Sequence, residues 1–299
     1  KELDQRTSGD VPTLTLDLTE IDASMAYSVG GKNANLGELR NMLDMPVPRG
    51  FAITIRAGSI FLLRTPGLFK SIYSLLRSID PEKPNSISAI ARQVEQIICE
   101  APVPQEVEEA LLKAWDMAYG DDPQMVAALR SSAIAEDGVQ SFAGQYRSLL
   151  GVTRHELIPA FKAVVASLFS PRALAYRSEH GYALDATGMG LCCLEMVRSR
   201  AAGVAFSRHP VDLRSNSIVI NGLWGLGEMV VDGSGTPDQW LVSRATQKIT
   251  MATIAHKTVR LRLARTKSGT VESTLDPVPD PLRDVPCLSD DQVRKLAGM

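Results

Sequence analysis

Through the first half of the chain, apolar positions recur at helical spacing. Leu36, Leu39 and Leu43 share one face of a helix expected over residues 33–43, and Val107, Leu111, Trp115 and Ala118 share one over 104–119. Pro104 suits a first helical turn and Gly120 a left-handed stop. Leu157, Phe161, Val164, Val165 and Leu168 form a third stripe, and Pro171 opens a further short helix running through Tyr176. Beyond about residue 188 the period shortens. MGLCCLEMV over 189–197 is almost continuously apolar, GVAFS over 203–207 is short and apolar, and SIVIN over 217–221 is β-branched, so all three read as buried strands. Residues 240–242 and the alternating TVRLRL over 258–263 continue the sheet. From Ser273 the Pro- and Asp-rich STLDPVPDPLRDVP reads as a surface loop before a last helical stub over 290–296.

The change of texture divides the chain into a helix-rich lobe over 1–188 and a sheet-rich lobe over 189–299. At 299 residues the chain is long enough for two cores, and 44% hydrophobic with 22% charged residues is an ordinary globular balance. A formal charge of −2 supplies no electrostatic footprint for nucleic acid or an anionic membrane, so any bound anion needs a local site. No segment is expected to be long and apolar enough to cross a bilayer, and the beginning carries no signal-peptide pattern. Cys99, Cys192, Cys193 and Cys287 lack CxxC spacing, and His155, His180, His209 and His256 lack metal-ligand spacing. A reduced, cytoplasmic setting fits this composition best.

Five stretches carry candidate chemistry. In VGGKNANL, over 29–36, two glycines and Lys32 stand at a helix start, where amide N–H groups and the helix dipole favour an anion. The spacing is not that of a Walker loop, and a plain turn with an exposed lysine is the competing reading. LRSS, over 129–132, puts Arg130 at what reads as a strand edge, where its planar fork could grip phosphate oxygens. Downstream, Ser141-Phe142-Ala143-Gly144-Gln145 is a small-residue turn leading into a strand over 146–150. It could fold over phosphates or be a surface hairpin. Glu195, Met196 and Val197 end an apolar strand. Such an edge can recognise adenine by backbone groups, yet periodicity alone makes these residues core, with Glu195 the costly exception. NGLWGLGEMVV, over 221–231, is a second glycine-rich turn bearing Glu228, and Pro237-Asp238 marks the next turn.

In order along the chain, VGGKNANLGEL, PVPRGFAIT, ALRSSAIAED, SFAGQ, EMV, GVAFS and NGLWGLGEMV followed by PD resemble the ATP-binding domain of the phosphoenolpyruvate synthase and pyruvate phosphate dikinase family. Rifamycin phosphotransferases belong to the same wider group. The likeness runs from about Tyr27 to Met299, and RSSAIAED, SFAGQ and WGLGE together favour the synthase branch. The resemblance implies an α+β, ATP-grasp-like domain of two lobes closing on Mg-ATP. It implies passage of a pyrophosphoryl group to a histidine on a separate swivelling domain, then use on pyruvate at an acceptor-binding domain, in cis or on another subunit. By position, Lys32 and Arg130 would neutralise phosphate oxygens, Phe142, Ala143, Gly144 and Gln145 would cover them, and Glu195, Met196 and Val197 would be the adenine hinge. Glu228 matches an acidic position near the nucleotide. Metal ligands are not assigned.

Three departures stand out. The loop between Glu136-Asp137 and SFAGQ is one residue short, and Glu195 stands where synthases usually carry Gln. The chain also ends at Met299, ahead of the family's closing segment with its acidic pair for magnesium. No TxxGGxxxHA segment is present, and His209 lacks that context. Alternative readings are the ATP-binding subunit of a split phenylphosphate synthase, a rifamycin phosphotransferase, and a non-catalytic nucleotide-binding lobe.

Overall fold

The computed structural model describes residues 13–80, 83, 85–133, 146–180, 188–212, 214–266 and 270–299. The chain forms two compact units, Lys1–Met196 and Val197–Met299.

The first unit is built on a five-stranded antiparallel sheet in the order β1-β2-β5-β3-β4. Its strands are β1 (Thr15–Asp17), β2 (Gly50–Ile53), β3 (Ala127–Ala133), β4 (Ser148–Val152) and β5 (Met189–Glu195). The helices are α1 (Ala26–Val29), α2 (Gly31–Asn41), α3 (Ile55–Arg64), α4 (Leu68–Arg77), α5 (Ser86–Glu100), α6 (Gln105–Tyr119), α7 (Leu157–Ala166) and α8 (Pro171–Glu179). β5 pairs with β2 on one side and β3 on the other, so the division of the chain falls after residue 196 rather than near residue 188.

Side chains alternate across the sheet with period two. Phe51, Ile53, Ala127, Leu129, Leu191 and Cys193 face the main core, which holds the apolar stripes of α3 to α8. The expected α6 stripe is there: Val107, Leu111 and Trp115 are buried, and Gly120 closes the helix at φ +67. The opposite face carries a smaller cluster of Ala52, Leu18, Ile21, Val29 and Ala34 under α1 and α2. Here the helix departs from its apolar pattern. Leu39 and Leu43 are exposed, and α2 buries Asn33, Ala34 and Gly37 instead. Small residues win this face because the helix lies against backbone: a Cβ at Gly37 would stand 2.3 Å from the Ile21 carbonyl oxygen.

Residues Arg154–Glu179 are, by length and composition, apolar enough to cross a membrane, which corrects the expectation that no segment is. Leu157, Phe161, Val164 and Val165 of this run are fully buried in the main core, and Ser170 caps α8 through the Ala173 N–H at 3.2 Å.

The second unit holds a four-stranded antiparallel sheet of β6 (Ala201–Phe206), β7 (Ser217–Trp224), β8 (Asp238–Ser243) and β9 (Ile249–Thr253), in chain order. A two-stranded hairpin, β10 (Val259–Arg265) with β11 (Val271–Pro277), follows. Residues 273–277, expected as loop, therefore form a strand: Leu261 pairs with Leu275 and Val259 with Pro277, so pairing with β10 overrides the turn-like composition. The short α9 (Glu228–Val231) follows β7, and α10 (Asp290–Ala297) starts at a Ser289–Gln292 capping box. Ile220, Trp224, Trp240, Val242, Val278, Cys287 and Val293 form this unit's core.

Candidate nucleotide site

Two of the sequence-flagged cations lie on one face of the first sheet. Arg130 is in the middle of β3, an internal strand, and not at a strand edge as its sequence context suggested. Register places Arg130 opposite Cys192, Ser132 opposite Gly190 and Ala128 opposite Leu194, all on the face covered by α1 and α2. Arg130 is exposed, whereas Ser132 and Cys192 are buried.

The turn between α1 and α2 brings Lys32 to the same face. Gly30 takes φ +84, and a Cβ there would lie 1.7 Å from the Ser132 carbonyl oxygen. Across the register, a Cβ at Gly190 would lie 2.4 Å from the Val29 carbonyl oxygen. The backbone of residues 29 and 30 thus rests directly on the two strands. The Asn33 N–H donates to Ser132 Oγ at 3.1 Å, and Asn33 Nδ2 donates to the carbonyls of Val29 at 2.7 Å and Leu191 at 3.0 Å. Lys32 is exposed one residue before this anchor, and Arg130 lies two residues, about 7 Å, along β3 from Ser132. Cys192 registers both charges: burial pushes its thiol up to about 12, against the pull of Arg130 and Lys32. Asn33 and Ser132 are not singled out by the sequence. Their sole signal is a polar residue inside each flagged motif, and they meet across 99 positions of chain.

At the end of β5, the Glu195 carboxylate accepts from Arg49 Nε at 2.8 Å, so the costly carboxylate of the sequence reading is paired and half-exposed. That pairing holds the Arg49 guanidinium above its usual range. The Glu195 N–H donates to the Arg49 carbonyl at 2.9 Å and the Met196 N–H to the Val126 carbonyl at 3.0 Å. The amides of Glu195 and Met196 are therefore both committed to backbone carbonyls of the first unit. Val197 is exposed, and its carbonyl accepts from the Ser199 N–H at 2.8 Å.

Phe142, Ala143, Gly144 and Gln145 lie outside the described residues. Glu228, the first residue of α9, is partly buried in the second unit after the turn at Gly225, whose φ is +86 and whose backbone bridges Leu261. His209 caps a local turn: its Nδ1 accepts from the N–H groups of Val211 at 3.3 Å and Asp212 at 2.9 Å. Among the described residues no three His, Cys, Asp or Glu side chains gather to hold a metal ion.

Residues 26–299 match the family described as "Pyruvate phosphate dikinase, AMP/ATP-binding domain". The chain is 37% identical to a Staphylothermus marinus protein named "Probable phosphoenolpyruvate synthase", over 94% of this chain and 36% of that protein. It is 36% identical to the phosphoenolpyruvate synthase of Escherichia coli, over 90% of this chain and 35% of the relative. Against a Streptomyces rifampicin phosphotransferase the identity is 32%, over 96% of this chain and 32% of the relative. The chain thus spans about a third of the length of these curated relatives.

Proposed function

The chain belongs to the pyruvate phosphate dikinase AMP/ATP-binding domain family, an ATP-grasp type of α+β fold, and from that premise we propose that it is the ATP-binding module of a phosphoryl-transferring enzyme. In this reading Lys32 and Arg130 neutralise the phosphate oxygens of Mg-ATP, and Phe142, Ala143, Gly144 and Gln145 cover them. The observation that carries it is the convergence of Lys32 and Arg130 on one sheet face through the Asn33–Ser132 bond. Transfer of a phosphoryl group asks little covalent chemistry of the protein and much charge neutralisation and positioning, which is what two cations beside a helix N-terminus can supply.

For the base, the carbonyl of Glu195 and the N–H of Val197 are the hinge groups that could serve adenine, because the amides of Glu195 and Met196 are spent within the first unit. Glu228 is assigned to the nucleotide's surroundings by family position alone. Magnesium would arrive with the substrate, carried on the phosphate oxygens with at most one or two carboxylates.

Transfer would go to a histidine on a separate domain, and from there to pyruvate, yielding phosphoenolpyruvate; the two named synthase relatives support that acceptor. The rifampicin phosphotransferase relative supports a second reading, in which the same ATP half-reaction serves an antibiotic acceptor. Alone, this chain would bind ATP without completing turnover, and its cellular setting would be the cytoplasm.

Titration calorimetry of the full chain with Mg-ATP, repeated with Lys32→Ala and Arg130→Ala, tests the site. Each substitution is expected to weaken ATP binding at least tenfold, the worth of a lost charge-assisted hydrogen bond. Unchanged affinity in both variants overturns the assignment. Adding a family histidine domain tests the chemistry, with phosphohistidine formation expected; ATP binding without transfer would favour a nucleotide sensor.

A further inference from the structure

A fully buried asparagine is expensive unless its amide is satisfied, and alanine is the better helix former at such a position. Asn33 is 0% exposed in the first turn of an 11-residue helix. Its three donated bonds run to three different elements: Val29 at the end of α1, Ser132 in β3 and Leu191 in β5. Its Oδ1 has no hydrogen-bond partner among the described residues. The two carbonyl acceptors fix which end of the amide is which, so the residue is held for its donors. Gly30 and Gly31 have no side chains to offer, and the backbone bond from residue 33 to Ser132 is one residue from Lys32 and two from Arg130.

We propose that Asn33 is a positioning residue for the phosphate chain, setting the spacing between the Lys32 ammonium and the Arg130 guanidinium by clamping the glycine turn to β3 and β5. The inference rests on the reading that those two cations hold the phosphates of ATP. A residue acting in this way matters in proportion to how many phosphates span the two cations. A residue that merely fills the core weakens every ligand alike. The two roles therefore separate by comparing ATP with AMP, which lacks the β- and γ-phosphates.

The experiment is calorimetry of the full chain with Mg-ATP and with AMP, on the unaltered protein and on Asn33→Ala and Ser132→Ala. Asn33→Ala is expected to lose about tenfold or more in ATP affinity while AMP affinity changes less than about threefold. In that background a further Lys32→Ala should cost less than it does alone, because the two cations no longer act on one ligand together. Ser132→Ala deletes a single acceptor atom inside the sheet and should show the same selective loss at smaller size, which decides the matter should Asn33→Ala not fold. Equal losses for ATP and AMP, or unchanged ATP affinity in a folded variant, overturn the role given to Asn33. Failure of the unaltered chain to bind either nucleotide overturns the underlying reading of the site and this inference with it.

Discussion

Each unit contains a buried polar knot, and the two knots use charge in opposite ways. In the second unit, Lys257 and Asp238 are both buried and joined at 2.6 Å. Asp238 also accepts from the N–H groups of Ala255 at 2.9 Å and Cys287 at 2.8 Å, and Lys257 Nζ donates to the Ala255 carbonyl at 2.8 Å. Both charges are consumed in tying β8 to the segments around residues 255 and 287. In the first unit the tie is a neutral amide, Asn33, and the nearby cations Lys32 and Arg130 stay exposed. Charge turned inward holds a fold together. In the first unit the tie itself carries no charge, and the cations beside it face solvent.

The contrast can be broken most forcefully at Lys257. Lys257→Met leaves the Asp238 carboxylate buried without its cation, and about 3–5 kcal/mol of the second unit's stability should be lost. Urea unfolding followed by the two tryptophans of that unit's core, Trp224 and Trp240, would read it. A midpoint unchanged from the parent would show that the pair is not a tie. Lys32→Ala reverses the pattern: little change in the unfolding midpoint, and the tenfold or greater loss of ATP affinity given above.

Smaller effects sharpen the comparison. The Arg49–Glu195 pair is half-exposed, so Glu195→Gln should leave stability nearly unchanged. ATP affinity should also hold, since the amides of Glu195 and Met196 are fixed by backbone bonds that the substitution leaves in place. A large loss of binding in that variant would place the Glu195 carboxylate itself on the nucleotide. The smallest expected effect is with acid. Arg154, bonded to Asp116 at 2.6 and 2.8 Å, holds the Asp116 carboxyl below its usual range, with burial opposing. A carboxylate whose pKa is depressed by folding contributes stability above its unfolded pKa and loses it as pH falls through its folded pKa. Acid titration of stability should therefore lose its Arg154→Ala sensitivity once the pH falls below the ordinary carboxylate range and Asp116 takes up its proton, and solvent keeps the difference small even at neutral pH.

What the sequence could reveal followed what is local. The α6 stripe of Val107, Leu111 and Trp115 was legible because one large apolar residue per turn is a periodic, local signal. α2 misled in its buried face because contact with backbone, not with apolar side chains, decides which residues go under. β11 was hidden by Pro and Asp that look like a turn until the register with β10 is known. Membership of β5 in the first sheet depends on partners at residues 50–53 and 127–133, far from its own texture. Lys32 and Arg130 stand out in the sequence as separate motifs, but neither motif says that both lie toward one face of the sheet. The residues that bring them together, Asn33 and Ser132, are ordinary polar letters until a contact across the sheet gives them meaning.

The missing methyl at residue 30 sets a limit on engineering. Replacing a glycine beside a helix start with alanine commonly stiffens a protein by several tenths of a kcal/mol through the unfolded chain. Here that small gain would be set against an overlap with a carbonyl oxygen at 1.7 Å and a left-handed backbone that alanine rarely adopts. Relief could come only by lifting the turn away from the strands, and the lysine would travel with it. Thermal robustness in this corner of the molecule must therefore be sought elsewhere, because the bare backbone that looks like slack is what brings the ammonium group to its place.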